Sequence, residues 1–198
     1  LRSSLAHRNL SLSLLRAGQK AEARDHAEQG LRMCEALVAN DPNHVNAQEM
    51  IPNELALIGR IAAESGETAR AFQLLRQSIA EFEDLRKRGT SPDITEQNAY
   101  NHLADLALDS GDPAEAIRSA QGEIAIDEKL LKVNPNNANA KRNRAVATRQ
   151  IARAHELVAL RRRSPDELRK AVSLYRDSLE ILQQMQAAGT LAPAIRRS

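Results

Sequence analysis

Apolar residues recur every three to four positions along the chain, as at Leu74, Leu75, Ile79, Phe82 and Leu85. That is the period of a helix with one face turned to a core. The pattern is punctuated by two alternating sets of breaks. In the first, Gly18, Gly66 and Gly111 stand in polar turns, each followed five residues later by an alanine: Ala23, Ala71 or Ala116. Glycine suits the left-handed position that ends a helix, and the polar residues after it, Pro113 included, suit the first turn of the next. The second set falls between these, at residues 40–43, 89–93 and 134–137, each with a proline that disfavours helix in the residue before it. The breaks predict helices over about 1–17, 20–40, 44–65, 68–88, 94–110, 113–133, 138–161 and 165–187. Helices of roughly 20 residues span about 30 Å. The first is expected to begin before Leu1, because its counterparts are longer.

The breaks also repeat. Residues 40–47 recur as 133–140, a shift of 93, and the Gly-Thr pair at 89–90 recurs at 189–190, a shift of 100. Duplication explains this, with about seven extra residues expected in the turn of the last unit. That turn lacks glycine and reads Arg161-Arg162-Arg163-Ser164, with Ser164 as cap, Pro165 at the first helical position and Glu167 at the third. The expected organisation is one array with repeats over 1–41, 44–90, 94–134 and 138–188, and a tail over 189–198. Its packing should rest on small residues (Ala23, Gly59, Ala71, Ala104, Ala116, Ala152 and Ala171) set against neighbouring Leu and Ile.

These residues resemble the tetratricopeptide repeat family. In the second unit the pattern reads Leu55, Ile58-Gly59, Ala62, Gly66, Ala71, Leu75 and Ser78. In the third it reads Tyr100, Leu103-Ala104, Ala107, Gly111, Ala116, Ala120 and Glu123, and in the fourth Ala171, Tyr175 and Ser178. Most aromatic positions of the family carry Ala or Leu, and the spacing exceeds the usual 34. The resemblance implies an all-α, right-handed solenoid of about four stacked helical hairpins. It also implies a groove lined by the first helix of each repeat. Carried across one position at a time, the groove residues are Arg8, Leu12 and Arg16, then Asn53, Ala56 and Arg60, then Asn98, Asn101 and Asp105. With the extra turn residues placed after its first helix, the fourth repeat adds Arg149 and Arg153. Asn offers both donor and acceptor, and Arg can fork onto a carboxylate, as an extended peptide requires. Leu12 stands where chaperone-tail binders carry Asn, so that specificity is not implied. The stretch 175–193 resembles the closing repeat of arrays attached to bacterial serine/threonine kinases, which implies an interaction or sensor region. The chain itself has no Gly-rich loop, His-Arg-Asp or Asp-Phe-Gly.

Composition narrows the chemistry. Of 198 residues only four are aromatic (Phe72, Phe82, Tyr100, Tyr175) and none is Trp, which removes the stacking platforms that nucleic-acid binders use. The histidines (His7, His26, His44, His102, His155) are scattered and show no metal-binding spacing, with capping or solvated roles expected. The single Cys34 is expected as a small buried helix residue, and adjacent Asp127 and Glu128 as part of a solvated face. No cofactor or metal is expected, nor a catalytic site, nor insertion into a membrane.

Net charge is +2, but it is segregated: residues 141–198 hold 13 Lys/Arg against 5 Asp/Glu, and residues 91–130 hold 2 against 9. An acidic partner could be steered to Arg149, Arg153 and Arg161–Arg163. Local neutralisation between neighbouring repeats is the plainer account. The expected function is a non-enzymatic scaffold for a protein or extended peptide, with a self-association module as the alternative. Cytoplasmic placement is favoured, and an extracytoplasmic one stays open for the tail of a receptor kinase.

Overall fold

The computed structural model describes residues 1–89 and 96–190. Among them are eight α-helices and no strand: α1 (Arg2–Arg16), α2 (Lys20–Asn40), α3 (Val45–Glu64), α4 (Thr68–Lys87), α5 (Glu96–Asp109), α6 (Pro113–Val133), α7 (Ala138–Arg162) and α8 (Pro165–Ala187). The boundaries lie within two residues of those expected. The break expected at 89–93 is described only at Gly89, and residues 90–95 and 191–198 lie outside the described residues.

One hydrogen bond defines the tight turns. The residue after the left-handed position donates its N–H to a carbonyl five residues back: Gln19 to Leu14 (2.9 Å), Glu67 to Ala62 (2.9 Å), Asp112 to Ala107 (2.8 Å) and Ser164 to Ala159 (3.1 Å). Gly18, Gly66 and Gly111 hold φ of 79°, 81° and 72° there. Arg163 takes the same place at φ 48°, a conformation that a side chain disfavours. The looser breaks use side chains instead. Asp41 and Asn134 accept from the amide two residues on, and His44 and Asn137 cap the following helices at Ala47 and Ala140. The extra residues of the last repeat are not a longer turn, as expected, but longer helices. α7 has 25 residues where α3 has 20, and α8 has 23 where α4 has 20.

The chain divides into two compact units, Leu1–Leu106 and Ala107–Ser198. In the first, α3 is buried on every side from Pro52 to Gly59. Leu57, Ile58 and Ile61 pack with Leu15, Ala23 and Ala27, and Ala56, Ala62, Ala71 and Leu75 pack with Ala99, Leu103 and Leu106 of α5. Gly59 allows a close approach: a Cβ there would stand 3.0 Å from Leu75 Cγ, so Leu75 would have to give way. In the second unit α7 packs against α6 and α8, with Ala116, Ala120, Ala145, Ala152 and Ala171 buried. All seven small residues singled out in the sequence are buried. Asp127 corrects an expectation: it is 0% exposed, and only its neighbour Glu128 faces solvent. Adjacent helix positions point about 100° apart, so one of such a pair can enter a core while the other does not.

Candidate functional site

A cleft of about 230 Å³ opens in the first unit between α1, α3 and α5. Helix α1 contributes Arg8 and Leu12, and α3 contributes Asn53, Ala56, Leu57 and Arg60; α5 contributes Asn98 and His102. Six of these come from the groove positions read off the sequence, and they converge because first helices present residues four apart on one face. Arg16 is exposed at the end of α1 outside this cleft. Asn101 and Asp105 do not line it either, and Arg149 and Arg153 belong to the second unit.

The charge of the cleft follows from its neighbours. Arg60 Nε donates to Glu64 Oε1 at 2.9 Å, and the side chain stays 37% exposed. Asn53 Nδ2 donates to the Glu49 carbonyl at 2.7 Å, which fixes the amide on the helix. His102 corrects the expectation of a capping or solvated histidine: it is pushed down to about 4, first by burial and then by Arg60. It is therefore a neutral donor and acceptor at physiological pH. Two guanidinium groups with neutral Asn and His between them favour an anionic group that also needs hydrogen bonds.

Beneath the cleft lies a residue that the sequence reading missed. Glu54 is 0% exposed and neither carboxylate oxygen has a hydrogen-bond partner. Burial pushes it up to about 7, and the charge of Arg8 offsets this in part. It fits because α2 has no side chain at Gly30, where a Cβ would stand 3.2 Å from Glu54 Cδ.

The other candidates have structural partners. His7 and His26 meet, Nδ1 to Nδ1, at 2.8 Å, and His155 Nδ1 bonds Glu167 Oε2 at 2.6 Å. No cluster of three or more metal-ligating side chains occurs among the described residues. Nor is any described helix long and apolar enough to cross a membrane. In the second unit Arg149 is exposed, Arg153 lies 3.8 Å from Asp109 Oδ1, and Arg161 Nη1 donates to the Gly111 carbonyl at 2.7 Å.

Hairpins of this kind, reversed by a left-handed residue and packed through small side chains, define a helical-repeat protein. Comparison with solved structures makes the class narrower: the fold is tetratricopeptide-like. BtubC (BKLC) from P. vanneervenii superposes with a TM-score of 0.70 at 15% identity, over 98% of this chain and 68% of that one. A putative kinesin light chain with nearly identical TPR-like repeats, from Podosopora anserina, gives 0.52 at 20% identity over 98% of this chain and 96% of that one. A substituted form of that same kinesin light chain gives 0.50 at 17% identity, over 94% and 99%. No family model matches the chain. No curated protein matches it either.

Proposed function

We propose that the chain is a non-enzymatic protein-interaction scaffold whose first unit takes an acidic, extended peptide segment in the cleft between α1, α3 and α5. The observation that carries this reading is the convergence of Arg8, Asn53, Arg60 and Asn98 on one opening. Arg8 and Arg60 would bind a carboxylate side chain, and the two Asn would bond the peptide backbone. The tetratricopeptide-like fold supports an interaction role over catalysis.

The test is titration of the chain with fluorescent acidic and basic peptides of equal length. Acidic peptides should bind more tightly, and Arg8→Ala with Arg60→Ala should weaken them by about tenfold or more. Equal binding of both peptide sets, or binding indifferent to the two substitutions, overturns the reading. Sedimentation without peptide tests self-association, which the exposed Leu5 and Leu10 of α1 favour. We further propose that the array serves as the interaction region of a bacterial serine/threonine kinase. Support comes from the sequence of residues 175–193, of which 191–193 lie outside the described residues. Co-purification of the chain with a kinase domain encoded in the same gene tests this.

A further inference from the structure

Arg8 is shared between the cleft of the first unit and the interior. Its side chain lines the cleft, yet its Nε is buried and bonded to no described residue. On α3, next to Asn53 of the cleft, Glu54 turns the other way. It reaches toward Gly30 of α2, where a Cβ would stand 3.2 Å from Glu54 Oε1. Among the described residues, the charge that acts on Glu54 is that of Arg8. A buried pair kept for stability closes with hydrogen bonds, because two desolvated charges without them are a net loss. Here neither Glu54 oxygen nor Arg8 Nε is bonded. Arg8 therefore stands in the field of Glu54 without being committed to it. The other groups nearby are accounted for. Cys34 of α2 feels the Glu54 charge, but burial holds its thiol above the ordinary range. His102 of α5 is pushed down to about 4 and is neutral near pH 7. Arg60 is bonded to Glu64, and His7, which precedes Arg8 in α1, turns to His26 at 2.8 Å. No charge of α4 acts on Glu54.

We propose that an acidic peptide entering this cleft is bound together with a proton, which Glu54 takes up, so that the peptide is held at low pH and released as pH rises. The inference rests on the acidic-peptide reading of the cleft and adds its regulation. One guanidinium does not neutralise two carboxylates. When Glu54 is ionised it draws on Arg8, and a peptide carboxylate brought to the same guanidinium meets a like charge in a poorly screened interior. When Glu54 is protonated, the whole field of Arg8 is turned to the peptide. Linkage makes the effect reciprocal: the bound peptide raises the proton affinity of Glu54 by the factor by which protonation raises peptide affinity. Burial pushes Glu54 up to about 7 in the free chain, so both protonation states are populated near neutrality. The proton comes from solvent on binding and returns to it on release.

The probe is a rhodamine-labelled peptide of alternating Glu and Gly, capped at both ends, and its twin alternates Lys and Gly. Binding to the intact 198-residue chain is followed by fluorescence anisotropy. The range runs from about pH 6 to about pH 8.5, where the peptide's own carboxylates stay ionised. Affinity for the acidic peptide should fall about tenfold across it. Calorimetry near neutral pH, in two buffers of different ionisation heat, should show net proton uptake on binding. Glu54→Gln should keep the parent's low-pH affinity over the whole range and take up no proton. Glu54→Met should do the same, which separates charge from hydrogen bonding. Arg60→Ala should weaken binding at every pH and keep the slope. Arg8→Ala should weaken it and flatten the slope, because without Arg8 the Glu54 carboxyl stays protonated to higher pH. Acidic binding that is tighter than that of the Lys twin but flat with pH overturns the proposal and leaves the cleft reading standing. A slope that survives Glu54→Gln does the same, since it belongs to another group such as the His7–His26 pair. Affinity that rises with pH overturns the proposal too. Equal binding of both peptides, or none, removes the cleft reading and this inference with it.

Discussion

Gly30 in α2 and Glu123 in α6 occupy the same place in the two halves of the chain, 93 residues apart, and so do Glu54 in α3 and Ala147 in α7. In the first half the second helix lacks a side chain, and the carboxylate rises from the next first helix. In the second half the buried carboxylate belongs to the second helix, and the corresponding first-helix residue is alanine. Cys34 has likewise become Asp127. The backbone frame has not moved with these exchanges: Ser78 donates to the Pro52 carbonyl and Ser178 to its counterpart at Ala145, both at 2.7 Å. Hairpin geometry is thus fixed by backbone and small residues, while the polar content of the layer between helices is free to change sides.

The buried acids offer the largest effect. Glu54 and Asp127 are both pushed up to about 7, chiefly by burial, with Arg8 and Arg144 pulling the other way. A carboxyl raised in the fold holds a proton that the unfolded chain gives up. Its stabilisation is full below the ordinary carboxylate range and is lost as pH rises towards 7. Glu54→Gln should therefore raise stability at pH 8 by up to about 3 kcal/mol, with the gain vanishing near pH 4. Urea unfolding across that range measures it, and a constant difference at all pH values would show that Glu54 is not protonated by burial. His102 works in the opposite sense, since a depressed histidine costs stability as pH falls from 6.5 towards 4. With two raised carboxyls against one depressed histidine, the stability of the parent should still fall as pH rises from about 5 to about 7, only less steeply than the acids alone would make it.

Overpacking comes next. Ala71→Leu in the first unit and Ala116→Leu in the second, both at 0% exposure, should each cost about 1–3 kcal/mol. Melting like the parent would refute the small-residue packing assigned to that hairpin. The two serine bonds sharpen the comparison further: Ser78→Ala and Ser178→Ala should each cost about 1 kcal/mol in chemical denaturation. A clear inequality would show that the two hairpins have diverged energetically despite equal geometry. The smallest expected effect is a gain. Arg163→Gly relieves the left-handed φ of 48° and should stabilise by up to about 1 kcal/mol, provided the loss of chain stiffness in the unfolded state does not cancel it.

Much of this architecture is legible in the sequence, for a physical reason. Gly18, Gly66 and Gly111 adopt a conformation that favours glycine, and Pro42 and Pro135 interrupt helices wherever they are not already at a first turn. Such residues announce themselves. Glu54 does not, because it falls in the stretch of α3 from Pro52 to Gly59 that is buried on every side, where the spacing does not mark one acid as facing the core. Asp127 is hidden for a related reason: on a helix with many charges, the one that enters the core carries no distinguishing mark. The run Arg161–Arg163 suggests a solvated turn, yet α7 runs on to Arg162, since arginine is a good helix former. Arg8, Asn53, Arg60 and Asn98 are found through family positions, whereas His102 carries no such position and emerges only from its place beside Arg60.

Cys34 has a use that its burial creates. It is the one thiol in the chain, it is 0% exposed, and burial raises its pKa. A thiol-specific reagent can reach it only when α2 lifts from α1 and α3, so the labelling rate reports the opening equilibrium of the first unit alone. The second unit contributes no signal of its own. Ligand-induced slowing of that label would separate occupants of the first unit from occupants of the second without any engineered probe.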